Sequence, residues 1–441
     1  MRKIVVAGAG HGGLSAAINL ARDGYDVTVV EKQKREDMGY NWEDAIELSA
    51  FDFAGIARPD ESIYIKSHHM AYMSPNGQHI LRMPYDKGIG RRVHMERKGL
   101  TAHLFAEADK AGVKLVFETP IVGPVIDGDR VAGIKIIDGG KEVILESELL
   151  IDAAGMDSVV RSQLPESFGI VKDFEDRNIF NAYRIYFDNT TGAETDPPYN
   201  VTFFHRDKPG ISWTIVDKKF VDIIVGKFKM SGELTMDEVE DSIGDFRSRY
   251  PFVGEKVLRG GEQIMRIPIS RMLPKIVYNG YAAVGDSAGM TIPLSGSGLV
   301  LSIMGGKYLA DCVKDIGMGA FSLRNLWKYE YNYFQEQGQN YLLLDAFKNF
   351  FTYVTADDIN YILRKKILTE QQFSVADGEP LVLPIKQLLH IVLNCGPMIK
   401  IVPHLVGALS AVPLTPVIAK SMPKEYDERK FQKWKKLYLS L

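Results

Sequence analysis

Ile4-Val5-Val6-Ala7-Gly8-Ala9-Gly10-His11-Gly12-Gly13 opens the chain, with Leu14, Ala17, Ile18 and Ala21 following at helical spacing. The stretch reads as buried strand, tight turn and helix. Gly8 permits the turn, Gly10 lets backbone approach a pyrophosphate, and Gly13 lets the helix pack close to the strand. The helix is expected over roughly 12–23, ending at Gly24, with its N-terminal N–H groups and dipole offered to phosphates. A second strand, Asp26-Val27-Thr28-Val29-Val30, closes on Glu31 and Lys32. An acid there accepts ribose hydroxyls and repels a 2′-phosphate. His11 reads as a turn position set by the backbone rather than as a catalytic base.

A second glycine signature lies almost a whole chain away. Gly285-Asp286-Ser287-Ala288-Gly289 follows the strand Ala282-Ala283-Val284 and runs on to Pro293 and Gly296-Ser297-Gly298. Asp286 is placed to accept from ribityl or ribose hydroxyls. Gly296, Ser297 and Gly298 start a long helix, about 299–316, whose N-terminus can face the pyrimidine edge of a flavin, where the reduced form carries negative charge. The plainer alternative is a helix start with ordinary glycine packing. One such loop indicates some nucleotide. Two imply one extended cofactor gripped at both ends, and FAD is a cofactor of that kind.

Composition sets limits. The 441 residues, 46% hydrophobic, suffice for a large core and suggest two or three domains. A net charge of −3 gives no reason to expect a nucleic-acid partner. The two cysteines, Cys312 and Cys395, are far apart and lack metal spacing, so a reduced, cytoplasmic setting is expected, with no metal. The first strand begins at residue 3, which leaves no room for a signal peptide. No uninterrupted apolar run reaches spanning length, so the chain is expected to be soluble or to lie on a membrane surface.

Between the two signatures, 37–56 departs from regular strand and helix. Ile63-Tyr64-Ile65 and Ile80-Leu81-Arg82-Met83 flank Pro75-Asn76-Gly77 as a hairpin. Arg97 opens an amphipathic helix ending near Gly112, and 131–137 with 143–145 form another hairpin. Leu149-Leu150-Ile151 leads as a buried strand into Asp152-Ala153-Ala154-Gly155 and on to Arg161, and residues 180–230 alternate as antiparallel sheet. The expected fold is α/β (α+β overall): a Rossmann-like FAD-binding domain in pieces, 1–60, 91–164 and 265–335. Into it is inserted an antiparallel-sheet substrate domain, 61–90 and 165–264, and a C-terminal helical region covers 336–441.

The first loop, Arg97, the stretch Ala154 to Arg161 and Gly285-Asp286 through Gly298 together resemble the group-two flavoproteins of the aromatic-hydroxylase fold. Within them the chain is most similar to the geranylgeranyl reductases. That likeness continues into Thr355-Ala356-Asp357-Asp358-Ile359-Asn360-Tyr361 and Lys365-Lys366-Ile367. The resemblance implies FAD contacts at Gly12, Glu31, Arg97, Asp286, Gly298 and Leu299, and an adenine-side backbone contact near Ile121 or Val122. Gly8, Gly10, Gly13, Lys32, Gly155, Gly296 and Ser297 complete the expected cofactor set. For Arg97 the plainer alternative is a surface helix-cap charge.

The departures concern the substrate. Relatives often carry Asp-Gly where this chain has Ala154-Gly155, and reductases of the family usually have a cysteine where Trp42 stands. The lipid-binding signature, close to Tyr-x-Trp-x-Phe-Pro, is reduced to Ile211-Ser212-Trp213-Thr214-Ile215-Val216. Trp42 and Trp213 are therefore candidate substrate contacts, Trp213 standing equally as pocket wall or sheet core. Reduction of an isolated alkene needs hydride from flavin N5 to one carbon and a proton to the other, so no side chain has to be catalytic. Tyr40, His68 and His69 are conceivable proton donors, the two histidines reading more readily as surface residues of the hairpin. Apolar stretches broken by proline over 381–422 predict short helices that cover a long pocket or rest on lipid. The tail 424–438 reads either as a basic amphipathic helix touching lipid or as a helix packed on the body with a solvated lysine face. The expected activity is FAD-dependent reduction of carbon–carbon double bonds in a prenyl lipid or similar hydrophobic substrate, with NAD(P)H or ferredoxin as electron donor. The rivals are a flavin monooxygenase or halogenase, and an electron carrier to a quinone. Halogenases want Trp-x-Trp-x-Ile-Pro, of which the strand at Ile211 offers only the second Trp and the Ile.

Overall fold

The structure is a computed structural model that describes residues 1–85, 91–205, 208–374, 384–394, 396 and 399–441. Cys395 and the start of the proline-broken stretch, 381–383, lie outside the described residues. Strand β1 (Lys3–Ala7), helix α1 (His11–Arg22) and strand β2 (Asp26–Val30) form as the opening sequence predicts. The next segment is more regular than expected, with β3 (Glu43–Glu47) and α2 (Ser49–Ala54). The expected hairpin is shifted. β4 (Tyr64–Lys66) ends before it, and its strands are β5 (Met70–Met73) and β6 (Ile80–Arg82). Every residue of β5 is buried, whereas Ile65 is 46% exposed, so the continuous apolar run takes the interior place. β4 pairs instead with β7 (Arg92–Glu96), which also takes β3.

Helix α3 (Arg97–Ala111) stops at Gly112 (φ +82°) and leads to β8 (Lys114–Val116). A meander of β9 (Ile121–Asp127), β10 (Arg130–Asp138) and β11 (Lys141–Glu146) precedes β12 (Leu149–Asp152) and the short α4 (Val159–Ser162). Next come β13 (Ile179–Asn189), β14 (Tyr199–His205), β15 (Lys208–Val216), β16 (Phe220–Phe228), α5 (Met236–Arg249), β17 (Val253–Gly260) and β18 (Met265–Pro268). The chain then returns through β19 (Val277–Tyr278), β20 (Tyr281–Ala283) and α6 (Leu299–Ile316). It finishes in helices α7 (Leu323–Tyr333), α8 (Gln339–Phe351), α9 (Ala356–Arg364), α10 (Glu370–Phe373), α11 (Ile385–Asn394), α12 (Val402–Ser421) and α13 (Glu428–Leu439).

Two large sheets organise these elements. One is ordered β19-β20-β12-β1-β2-β8, parallel except at β19–β20. Its inner strands β20, β12 and β1 are buried on both faces, as parallel sheets between helices are. The other, β17-β13-β16-β15-β14-β5-β6 with β18 on β13, is antiparallel except at β14–β5. A second apolar core packs Tyr72 and Phe203 from that sheet against Phe350, Ile362, Phe373, Ile401 and Leu405 of the C-terminal helices.

One sequence expectation needs correction, and one pair of alternatives narrows to the helix packed on the body. Pro413 and Pro416 do not break the C-terminal stretch into short pieces. Both sit inside α12, whose 20 residues are long and apolar enough to cross a membrane, although only Leu405, Ala408, Ala411, Ile418 and Ala419 are buried. Leu405 and Ala408 anchor one side of that helix in the second core, and such packing holds a helix together where propensity alone would not. The tail helix α13 already has its apolar face occupied: Phe431, Trp434 and Tyr438 are each 1% exposed, packed with Trp327 and Phe334. Its opposite face, with Lys430, Lys433 and Lys436, is solvated.

Helices α1 and α6 cross at glycine. A Cβ on Gly306 would lie 2.4 Å from the Gly12 carbonyl oxygen, whereas one on Gly407, exposed in α12, would meet nothing within 4 Å. Gly306→Ala should therefore destabilise the protein by about 3 kcal/mol, and Gly407→Ala should stabilise it by up to about 1 kcal/mol. Thermal melts of the two variants check the pair.

Candidate functional site

The first loop is built by close approach to the end of β12. Gly8 has φ +93°, and a Cβ there would sit 2.6 Å from the Ala153 carbonyl oxygen. A Cβ on Gly13 would strike Ala153 Cβ at 2.6 Å, and one on Gly12 would strike the Ser302 carbonyl oxygen of α6 at 2.9 Å and lie 3.4 Å from the Gly285 nitrogen. The two signatures are thus neighbours. Gly10 and Gly298 cap α1 and α6 without any side-chain hydrogen bond, so both helices present their first N–H groups and positive dipole ends openly. Buried Glu31 accepts from the Ala9 N–H (3.0 Å) and the Gln33 N–H (3.0 Å), leaving further lone pairs for ribose hydroxyls.

A clamp that the sequence reading passed over joins the halves. Asp152, fully buried, accepts from Ser158 Oγ (2.6 Å), Tyr281 Oη (3.0 Å), Ser287 Oγ (3.0 Å) and the Ala154 N–H (3.1 Å). Ser287 Oγ in turn accepts from the Gly155 N–H (2.9 Å), and Arg161 donates to the Ser287 carbonyl (2.8 Å). The signal lay in the stretch Asp152 to Arg161, where the quoted pattern drew attention to Ala154-Gly155 rather than to the acid two residues before.

Asp286 stands beside the start of α6, its carboxyl 3.3 Å from where a Gly298 Cβ would be. Burial pushes its carboxyl above the usual range, and Arg97 and Arg161 pull it back. Among the described residues the carboxylate takes no hydrogen bond. Arg97, first residue of α3, pairs with Asp44 (2.8 Å) and lies over the Tyr40 ring (5.4 Å). That ring stacks on Trp42 at 4.5 Å, and the Trp42 indole N–H donates to Asp44 (3.1 Å). Burial and the Arg97 charge hold His11 well below the ordinary histidine range, so its imidazole is neutral.

From Gly296–Leu299 a cavity of about 240 Å³ extends between the large antiparallel sheet and the C-terminal helices. Trp42, Arg97 and Trp213 line it near Arg184 and His94, and Tyr72, Phe203, Phe347, Phe351 and Phe373 form its apolar reach. Phe203 stacks on Tyr72 (5.2 Å) and Phe351 (5.1 Å). Every guanidinium on the cavity is neutralised. Arg184 pairs with Asp222 (2.5 Å), Arg97 with Asp44 and Arg92 with Glu47 (3.9 Å).

The structure thus brings together Gly8, Gly10, Gly12, Gly13, Gly155 and Asp286, and gathers Gly296, Ser297, Gly298 and Leu299 with Arg97, Trp42 and Trp213 on the cavity. Ile121 and Val122 start β9 close to Glu31, because the Thr119 N–H donates to the Glu31 carbonyl (2.9 Å). The Val122 carbonyl already accepts from Gln163 (2.8 Å). Lys32 is exposed. His69 is exposed and stacks on Tyr85, but His68 is no surface residue: it is half-buried with its ring against His94 (5.1 Å). The reason is the shifted hairpin, which makes residues 67–69 the link between two sheets. His94, Arg184 and the phenylalanine cluster were not legible as site residues, since nothing in their local spacing ties three distant strands and two helices to one cavity.

A family model described as "FAD binding domain" matches residues 1–313. A digeranylgeranylglycerophospholipid reductase of Sulfolobus acidocaldarius is 25% identical over 376 residues, which cover 83% of this chain and 81% of that protein. Digeranylgeranylglycerophospholipid reductase 2 of Methanococcoides burtonii is 26% identical over 374 residues, 81% of this chain and 86% of that one. Among solved structures, a geranylgeranyl bacteriochlorophyll reductase-like protein of Thermoplasma acidophilum has TM-score 0.74 at 19% identity, covering 92% of this chain and 100% of that one. A flavin-dependent brominase has TM-score 0.63 at 14% identity, over 88% and 96% of the two chains. The structures share the fold. The cofactor is FAD, and the expected kinship with geranylgeranyl reductases holds.

Two variants separate grip from scaffold. Glu31→Ala removes an acceptor of two backbone N–H groups at the first loop, and FAD affinity should fall at least tenfold, given about 1.5–3 kcal/mol for hydrogen bonds to a charged group. Flavin absorbance per chain after dilution and desalting reads this directly. Asp152→Ala leaves buried hydroxyls unpaired and should lower the melting temperature of the FAD-free protein as well, by about 3 kcal/mol in stability.

Proposed function

Because this chain belongs to the FAD-binding-domain family, we propose that it reduces carbon–carbon double bonds of a prenyl lipid or a similarly hydrophobic substrate. The observation that carries the reading is the aromatic cavity continuous with Gly296–Leu299, where the flavin end of the cofactor is expected. Bound FAD, once reduced, supplies a hydride. The protein's own part is to place an alkene against that end, exclude water with the phenylalanine cluster, and keep the cavity free of unpaired charge. Of the three donor candidates we favour Tyr40, which stacks on Trp42 of the cavity wall. Its phenol, under Arg97 and near Asp286, is pushed above the usual range by burial and so holds its proton, whereas His68 is pushed down by burial and stays neutral. The named activities of the Sulfolobus and Methanococcoides relatives support the same substrate class. NAD(P)H or ferredoxin is the proposed source of electrons.

We place the protein in the cytoplasm against a membrane surface. Leu393 (82% exposed), Ile399 (71%), Val406 (58%) and Val417 (53%) give α11, α12 and their connection an apolar outer side, fringed by exposed Lys386, Lys400 and Lys420. Such a surface suits the headgroup layer of anionic lipid.

Incubating the reduced enzyme with a geranylgeranyl lipid in the absence of oxygen should add two hydrogens per bond reduced, read by mass spectrometry. Turnover that demands oxygen would instead identify a monooxygenase or halogenase, and flavin reoxidation by quinone without a mass gain an electron carrier. In flotation with vesicles containing anionic lipid, the protein should rise with the vesicles. The double variant Leu393→Asp and Val406→Asp should stay several-fold more in the aqueous fraction while keeping its FAD.

A further inference from the structure

Four of the nine buried side-chain polar atoms without a partner among the described residues belong to one cluster: His68 Nε2, both ring nitrogens of His94, and Trp213 Nε1. His94, only 4% exposed, and Trp213 line the cavity, while His68 packs edge-on against His94. Tyr199 joins them, 6.3 Å from the His94 ring and 5.9 Å from the Trp213 ring. A buried donor or acceptor left unmatched is destabilising, and a group of them on one cavity wall points to an occupant that completes them.

We propose that His94 and Trp213, with His68 behind, form the socket for the polar end of the substrate, and that this end carries neutral oxygen: an alcohol, ether or carbonyl rather than a phosphate. Neutral imidazole supplies one donor and one acceptor, and indole supplies a donor, which is the complement of hydroxyl and carbonyl groups. A phosphate would need unbalanced positive charge. The cations of the cavity wall, Arg92, Arg97 and Arg184, each have a carboxylate partner in Glu47, Asp44 and Asp222, and Glu43 adjoins them, itself paired with Arg259 (2.5 Å). Burial, with His68, Arg184 and Arg92 nearby, holds His94 down to about 3, so it brings no charge of its own.

The inference rests on the prenyl-substrate reading, and binding separates the two because it needs no turnover. Holoenzyme is titrated with geranylgeraniol, geranylgeranyl phosphate and a hydrocarbon of the same carbon skeleton, following flavin fluorescence. The alcohol should bind about tenfold more tightly than the hydrocarbon, and the phosphate no more tightly than the alcohol. Trp213→Phe and His94→Phe should each abolish most of that tenfold advantage, about 1.4 kcal/mol, while hydrocarbon affinity, FAD content and melting temperature hold or rise. A merely structural His94 would instead lose stability and affect all three ligands alike, and that result overturns the socket. So does a wild-type protein that prefers the phosphate or does not distinguish alcohol from hydrocarbon. Selective alcohol binding without any alkene reduction would keep the socket and remove the reductase reading.

Discussion

The carboxylate of Asp152 is the point on which the site depends. It ends a buried parallel strand and takes four hydrogen bonds, from Ser158, Tyr281, Ser287 and the Ala154 backbone. Those donors come from four separate places: the second signature, the neighbouring strand β20, the cap of α4 and the loop that Gly8 and Gly13 touch. Without that carboxylate the first loop and the second signature would keep their backbone pairing and the Gly155 and Arg161 bonds to Ser287, but would lose the one acceptor that the four donors share. With it, the N-termini of α1 and α6 are fixed relative to each other, which is the condition for one long cofactor to be gripped at both ends. Arg161 reinforces the clamp from behind, donating to the carbonyls of Ser287, Met156 and Lys172.

Glycine does the complementary work. At Gly8, Gly12, Gly13 and Gly306 a single added carbon would meet backbone or a neighbouring side chain below 3 Å. These positions therefore set how closely β1, α1 and α6 can approach, and closeness is what lets the helix dipoles act at short range. The sequence pattern carried that much because it is local: strand, turn, helix and stop occupy the 22 consecutive residues 3–24 and obey simple periodicities.

What was not legible has one physical cause. Hydrophobic alternation assigns a residue to a face but not to a partner strand, and so Ile63 to Ile65 reads as a hairpin arm although the buried strand that pairs with Ile80 to Arg82 is Met70 to Met73. The same ambiguity hid His94, whose strand joins the small sheet β3-β7-β4, and left Trp213 open between core and pocket. Trp213 proves to be both, since it packs with Tyr199 and lines the cavity. The prolines of α12 misled for a related reason. Propensity is a local quantity, and Leu405, Ala408, Ala411 and Ile418 bury enough of that helix to override it.

Helices α11 and α12 have two faces with opposite company. Ile391, Ile401 and Leu405 belong to the core that includes Phe203 and Phe373 of the cavity wall, while Leu393, Val406 and Val417 point outward. A hydrophobic chain that reached the cavity through open water would have to expose its methylenes on the way, at about 0.8 kcal/mol each. A chain that passes from a bilayer along these helices would not. The same thin layer of side chains therefore accounts for two otherwise unrelated features, an enclosed aromatic cavity and an exposed apolar rim beside it. Neither is needed by a protein whose substrate is small and polar.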